Sequence, residues 1–390
     1  MKRTALLAIL LLLSLLLTAC SVPGLTASDA DGESGENTEP KNRLFYEYFD
    51  TVCVFYDYTG GTDAEFKQRY SMVEAELKAC HELFDIYHTY DGINNAKTVN
   101  DLAGGEPIKV DERFIELLDF AKDMYDKTSG NVNVMMGSVL TVWHNYRSGF
   151  KSCGGCGYDG KIDVFGKTDA QTNKTVEVWI CPDCAAENAK ADAPAVPSID
   201  KLEALSEHTA IESLKIDREA CTVRITDPEA SLDLGAVAKG YTCERIARML
   251  EAEGITAYAL DFGGNLRVGE KLSGEGWRSG IRNPDILSEE PYIRILDVKN
   301  AALVTSGSYE RFYTVEGVRY HHIINKDTLM PENRYTSVSI LTPSSAEADA
   351  LSTAFFNMTE EEIRGALPSF PGTEVTLVYP DGRVEVISAD

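Results

Sequence analysis

Residues Tyr320–Pro331 read Y-H-H-I-I-N-K-D-T-L-M-P, Thr336–Leu341 read T-S-V-S-I-L, and Ser344–Phe356 read S-S-A-E-A-D-A-L-S-T-A-F-F. The middle piece alternates like a strand. The last is a helix announced by its cap: Ser344 or Ser345 can accept from the first turn, and Glu347 stands three residues after Ser344, at capping-box spacing. On that helix Asp349 and Thr353 are four residues apart and share a face. A carboxylate with a hydroxyl suits a hard divalent cation such as Mg²⁺ or Ca²⁺. The plainer reading is an Asp favoured by the helix dipole and a Thr bonded back to its own helix. His321 and His322 stand at the mouth of the preceding loop, where an imidazole can move a proton.

The same mixture of strands and helices extends outward. Leu44–Tyr58 is rich in aromatic and β-branched residues and reads as a strand ending at Gly60–Gly61. Ala64–Tyr87 reads as a helix, with Phe66, Tyr70, Val73, Leu77, Cys80, Phe84 and Tyr87 on one stripe. Further helices are expected over Asp111–Thr128, near Trp143 and over Val237–Glu253. Strands are expected at Thr256–Phe262, Ala302–Thr305 and Phe312–Val315, and a Pro-Asp-Gly turn closes a hairpin within Gly372–Ser388. Hairpins mixed with helices indicate an α+β fold, not a parallel doubly wound sheet. Cys53, Cys80, Cys221 and Cys243 fall in these elements and read as buried thiols.

The chain has 390 residues and a formal net charge of −25, which argues against nucleic acid and against a polybasic membrane contact. A phosphate ligand here needs local relief from a metal, backbone N–H groups or a few placed cations. Lys2 and Arg3 precede an apolar run over Ala5–Leu17, and L-T-A-C follows at Leu17–Cys20. This resembles a lipoprotein signal peptide over residues 1–19 with lipid on Cys20; a plain signal peptide or uncleaved anchor is the alternative. Residues 20–41 read as a flexible tether. The working part is thus expected on the extracytoplasmic face, anchored to the cell membrane.

Three glycine turns can bring backbone N–H groups to an anion: Leu232–Tyr241, Leu260–Asn265 and Thr305–Tyr309, the first with Lys239 near a helix start. None has Walker or Rossmann spacing. Taken together with F-D-I-Y-H-T-Y-D-G-I-N-N at Phe84–Asn95, G-N-V-N-V-M-M-G-S-V-L-T-V-W at Gly130–Trp143, Y-H-H-I-I-N at Tyr320–Asn325 and A-D-A-L-S-T at Ala348–Thr353, the chain resembles the ApbE family of FAD:protein FMN transferases.

The resemblance implies one large ApbE-like, T-fold-like domain over residues 42–150 and 198–390. It implies Mg²⁺-dependent transfer of FMN from FAD to a Ser or Thr hydroxyl of an extracytoplasmic acceptor protein, with release of AMP. By position, Ala236 (through its carbonyl), Asp349 and Thr353 match the Mg²⁺ ligands, and Asp349 with His322 the catalytic pair. Tyr87 matches a residue that stacks on the flavin; Asn94, Asn95, Lys239, Gly263, Gly264, Asn265, Ser306 and Gly307 fall where FAD is held. Asn265 and Asn325 stand where the family often has Asp. The alternatives are hydrolysis of FAD to FMN and AMP, or a non-enzymatic flavin-binding electron carrier. Asp31–Asn37 in the tether faintly resembles the acceptor motif of flavinylated proteins.

Residues 151–197 stand apart as an inserted module and linker. Cys153, Cys156, Cys181 and Cys184 form two C-x-x-C pairs, the pattern of a tetrahedral zinc or iron site; two disulfides are the competing reading outside the cytoplasm. Elemental analysis of the purified protein is expected to find zinc or iron that is lost when these cysteines are replaced by serine. A metal-free protein with no titratable thiols at these positions would establish disulfides instead.

Overall fold

The structure is a computed structural model that describes residues 40–148, 196–285 and 287–389, and the backbone of residues 151–152, 159–160, 163–168 and 175–180. The expected signal sequence with Cys20, most of the expected tether and all four cysteines of the expected insert lie outside the described residues.

Eight strands form one antiparallel sheet in which spatial order follows chain order. They are β1 (Lys41–Phe45), β2 (Cys53–Asp57), β3 (Tyr258–Phe262), β4 (Asn265–Val268), β5 (Ala301–Gly307), β6 (Ser337–Thr342), β7 (Glu374–Val378) and β8 (Val384–Ser388). The helices are α1 (Asp63–Phe84), α2 (Ala96–Asp101), α3 (Glu112–Lys127), α4 (Gly137–Arg147), α5 (Ile199–Ser206), α6 (Ala238–Ala252), α7 (Ser345–Asn357) and α8 (Glu360–Ala366). The α+β expectation holds, and β1 already begins at Lys41, inside the expected tether.

Period-two alternation gives the sheet two working faces. Cys53 and Phe55 of β2, and Tyr258, Leu260 and Phe262 of β3, pack with Val73 and Leu77 of α1 and with Cys243, Ile246 and Leu250 of α6. Ala259 and Val268 point the other way, onto a hairpin of Trp277–Arg282 and Tyr292–Val298. Most of the remaining core joins α1, α3 and α7 to β5, β6 and β7.

Local chemistry sets the helix bounds. Thr62 and Glu65 form a capping box at the start of α1, and Asp111 caps α3 as its position suggests. Three expectations need correction. The segment Leu44–Tyr58 is not one strand, because Phe49 and Asp50 adopt left-handed backbone angles and turn it into the β1–β2 hairpin. Helix α1 stops at Phe84, because the backbone N–H groups of Tyr87 and His88 bond the Asp85 carboxylate instead of the preceding turn. Cys53, Cys80 and Cys243 are buried, but Cys221 is only half-buried in a turn, with φ of 47°.

Helix α7 is buried almost all round, which its run of Ala and Ser permits by keeping its cross-section small. It runs against α6 so closely that a Cβ on Gly240 would sit 2.3 Å from the Asp349 Cβ and 2.4 Å from the Ser345 carbonyl oxygen. Glu244, one turn on, accepts from the Ser345 N–H at 2.9 Å and fixes the start of α7. Gly240→Ala must therefore separate two packed helices. We expect it to destabilise the fold by about 1–3 kcal/mol, read by denaturant titration, as overpacking typically does. An unchanged midpoint would show that the crossing yields freely.

Candidate active site

The α6–α7 crossing opens into a cavity of about 560 Å³. Its walls come from the loop after α1, one side of α4, the Asp233–Lys239 turn, the Gly263–Asn265 turn, the end of β5, the loop around His322, and the Asp349–Thr353–Asn357 face of α7. Segments distant in sequence thus meet in one hollow.

Asp349 is the most deeply buried carboxylate of the lining. It is 5% exposed, and its Oδ2 accepts from the Gly240 N–H at 2.8 Å. Burial raises its pKa above the ordinary carboxylate value, against the opposing pull of the Lys239 charge, the Gly240 N–H and the Asn265 amide. Thr353 follows one turn later on the same wall, and Ala236 lies on the facing turn. Asn265 is buried beside them, with its Oδ1 lacking any hydrogen-bond donor among the described residues. A carboxylate, a hydroxyl, a carbonyl and an orphaned amide oxygen are hard oxygen donors, and these residues fit a small divalent cation. No group of three or more His, Cys, Asp or Glu that could hold a metal occurs among the described residues, so hydroxyl, carbonyl and amide oxygens would have to complete the set.

Glycine supplies the opposite rim. Gly263 and Gly264 take φ of 62° and 90°, and a Cβ on Gly263 would collide with Thr51. The Gly264 N–H is tied to Asp261 at 2.9 Å, which holds the turn open toward the cavity. Ser306 and Gly307 end β5; the Ser306 hydroxyl bonds Ser352, which donates in turn to the Asp349 carbonyl. Lys239, Arg147 and Arg311 all reach the cavity, and none has an ion-pair partner among the described residues.

His322 lies near the two arginines. Its Nδ1 meets the Arg311 carbonyl oxygen at 3.3 Å, so Nδ1–H donates and Nε2 is left with its lone pair. Burial, then Arg311 and Arg147, push its pKa down to about 3. The ring is neutral near pH 7 and able to take a proton, and an anion neutralising those arginines would make it more basic. His321 is committed elsewhere: it accepts from the Ile323 N–H and donates to the Glu332 carbonyl.

Eleven of the expected site residues line the cavity: Tyr87, Ala236, Lys239, Gly263, Gly264, Asn265, Ser306, Gly307, His322, Asp349 and Thr353. Asn94 and Asn95 do not. Asn94 donates to the Lys109 carbonyl at 2.8 Å. Asn95 is fully buried as the cap of α2, bonding Thr98, Glu82 and His88. Asn95 is thus spent on shaping the loop that presents Tyr87, whereas Asn94 is exposed and engages only its Nδ2. Asn325 also stays off the cavity wall and caps the Asp327 and Thr328 N–H groups. Sequence reasoning missed Arg147 and His144, because a cationic residue in a helix's last turn reads first as a dipole partner.

Residues 54–377 match the ApbE family. The chain belongs to the ApbE family. A curated FAD:protein FMN transferase of Treponema pallidum is 29% identical over 301 residues, covering 73% of this chain and 71% of that protein. Another, of Vibrio cholerae, is 27% identical over 282 residues, covering 72% and 71%. Among solved structures, the ApbE protein of Thermotoga maritima superposes with a TM-score of 0.67 at 24% identity, over 89% of this chain and 96% of that one. The flavin transferase ApbE of Vibrio cholerae gives 0.66 at 22%, over 90% and 98%. These superpositions establish the ApbE fold for this chain.

The Asp349 pKa has a consequence that stability measurements can read. Its folded value is raised, so in the metal-free state the folded protein binds the proton more tightly than the unfolded chain does. Stability then falls as pH rises from the unfolded carboxylate value, about 3.9, toward the raised folded value. In chelator, Asp349→Asn is expected to be more stable than the parent by a margin that grows from acid to neutral pH in denaturant titrations. A margin independent of pH would mean that Asp349 ionises without cost.

Proposed function

We propose that this ApbE-family chain transfers the FMN part of FAD to a Ser or Thr hydroxyl of an acceptor protein. One observation carries the reading. In a protein of net charge −25, Arg147, Arg311 and Lys239 reach the same cavity as a buried oxygen-donor set and a neutral histidine. Glu47, Asp50, Asp85, Asp233 and Glu310 also line it, yet none of the three cations has an ion-pair partner among the described residues. A polyphosphate ester is the ligand that such a hollow neutralises. Its curated relatives bear the transferase name.

The chemistry follows from the residues. Arg147, Arg311 and Lys239 offset the pyrophosphate charge, and the glycine turns let it approach the backbone. Asp349, Thr353 and the Ala236 carbonyl would hold Mg²⁺, which draws electron density from the phosphoryl oxygens when bound. The acceptor hydroxyl forms its bond to the phosphorus on the riboflavin side. The bond from that phosphorus to the bridging oxygen breaks, and AMP leaves with the bridging oxygen. His322 Nε2 takes the hydroxyl proton, without which the oxygen is a poor nucleophile. The N-terminal reading supports a lipid-anchored protein on the extracytoplasmic face, acting on membrane or secreted acceptors.

Asp349→Ala is expected to abolish Mg²⁺-dependent transfer, followed by in-gel flavin fluorescence of an acceptor. His322→Ala is expected to lower kcat by about 10²–10⁴-fold, the usual range for a lost general base. Parent kcat/KM should show no inflection near the ordinary histidine pKa. FMN and AMP formed equally fast without acceptor would identify a hydrolase; near-normal transfer by Asp349→Ala would overturn the site.

A further inference from the structure

Tyr87 and His144 come from different walls of the cavity, one from the loop after α1 and one from α4. The Tyr87 Oη and His144 Nδ1 atoms are 2.7 Å apart. Their ring planes differ by only 17°, while the centroids are 6.1 Å apart. The phenol oxygen projects from its ring's edge. A contact that short with centroids that far apart is met only when the two rings lie side by side, joined through the hydrogen bond. They are not stacked face to face. Together they make one flat surface two rings wide.

Both halves are held in place. The Tyr87 N–H donates to Asp85 Oδ1 at 2.6 Å, and Asp85 Oδ2 accepts from the Tyr90 hydroxyl at 2.8 Å, which knits the loop. His144 follows Trp143, which is buried and whose indole N–H donates to the Leu329 carbonyl at 3.0 Å. Burial, with Arg147 and Arg311 and against the opposing pull of the Asp233 carboxylate, keeps the His144 imidazole below its ordinary pKa, so the surface is uncharged near neutrality. Tyr87 is 51% exposed, a large value for an aromatic ring lining a cavity. An uncovered, neutral, rigid surface of this kind suits a planar ligand.

We propose that Tyr87 and His144 act as a single hydrogen-bonded platform for the fused ring system of a flavin, making His144 a second ring-binding residue. The inference rests on the transfer reading above and adds to it the surface that recognises the ring. A tricyclic ring extends beyond what one phenol can cover, and His144 supplies the additional area in the same plane. The hydrogen bond sets the two rings in register, so the pair acts as a unit.

The test measures binding of riboflavin, FAD and ADP to the full-length protein by calorimetry, for the parent, His144→Ala, His144→Phe, Tyr87→Phe and the His144→Ala/Tyr87→Phe double variant. Loss of one stacking ring is expected to weaken riboflavin and FAD about tenfold in His144→Ala, the scale of a lost base–aromatic stack. ADP binding should stay within about twofold, because ADP lacks the flavin ring. His144→Phe restores ring area and should recover most of the loss. Adding Tyr87→Phe to His144→Ala should cost less than Tyr87→Phe costs alone, because the shared hydrogen bond is already gone. Unchanged riboflavin binding in His144→Ala, or an equal loss for ADP, overturns the platform. A parent protein that binds ADP but no flavin overturns the transfer reading as well.

Discussion

The crossing of α6 and α7 is the contact on which the rest of the site depends. Gly240 has no side chain, so its N–H reaches the carboxylate of Asp349 through the space a methyl group would fill. Glu244 on the same helix holds the first residue of α7 and also meets Arg267, itself buried and bonded to Glu251. A carboxylate is thereby kept out of water with few partners, a costly arrangement that persists only where the surroundings hold it. That cost is set by packing at a distance from the cavity mouth.

The charge distribution follows the same logic on a larger scale. Most of the acidic surplus meets solvent, and several acidic side chains are spent on cations between helices, as Glu76 is on Arg113 and Arg245. The cations that face the cavity are left without such partners among the described residues. Glu47, Asp50, Asp85, Asp233, Glu310 and Asp349 line the same cavity, so an anion there finds its compensation only beside Arg147, Arg311 and Lys239.

Much of this was legible in the sequence. Ser344 and Glu347 announced α7, and the spacing of Asp349 and Thr353 put them on one wall. Glycines at 263 and 264 marked a turn that only left-handed angles allow. What periodicity could not show was the end of α1. Tyr87 continues the apolar stripe, yet Asp85 captures the backbone N–H groups that the helix would have used. A competition between a side chain and a carbonyl for the same donor leaves no trace in spacing. Asn94 and Asn95 lie off the cavity wall, and for Asn95 the reason is related: an amide serves a ligand and a turn equally well, and only the fold shows that the turn has claimed it. The side-by-side meeting of Tyr87 and His144 joins residues 57 positions apart and had no local signature.

The position of Asp349 would also couple any cation bound there to a proton. Because burial makes this carboxyl hold its proton more tightly than a surface acid does, a cation that takes its oxygens must displace that proton below the raised pKa. Affinity for such a cation would then rise with pH. Occupancy of the cavity by such a cation would track the proton concentration around the protein without any separate sensor.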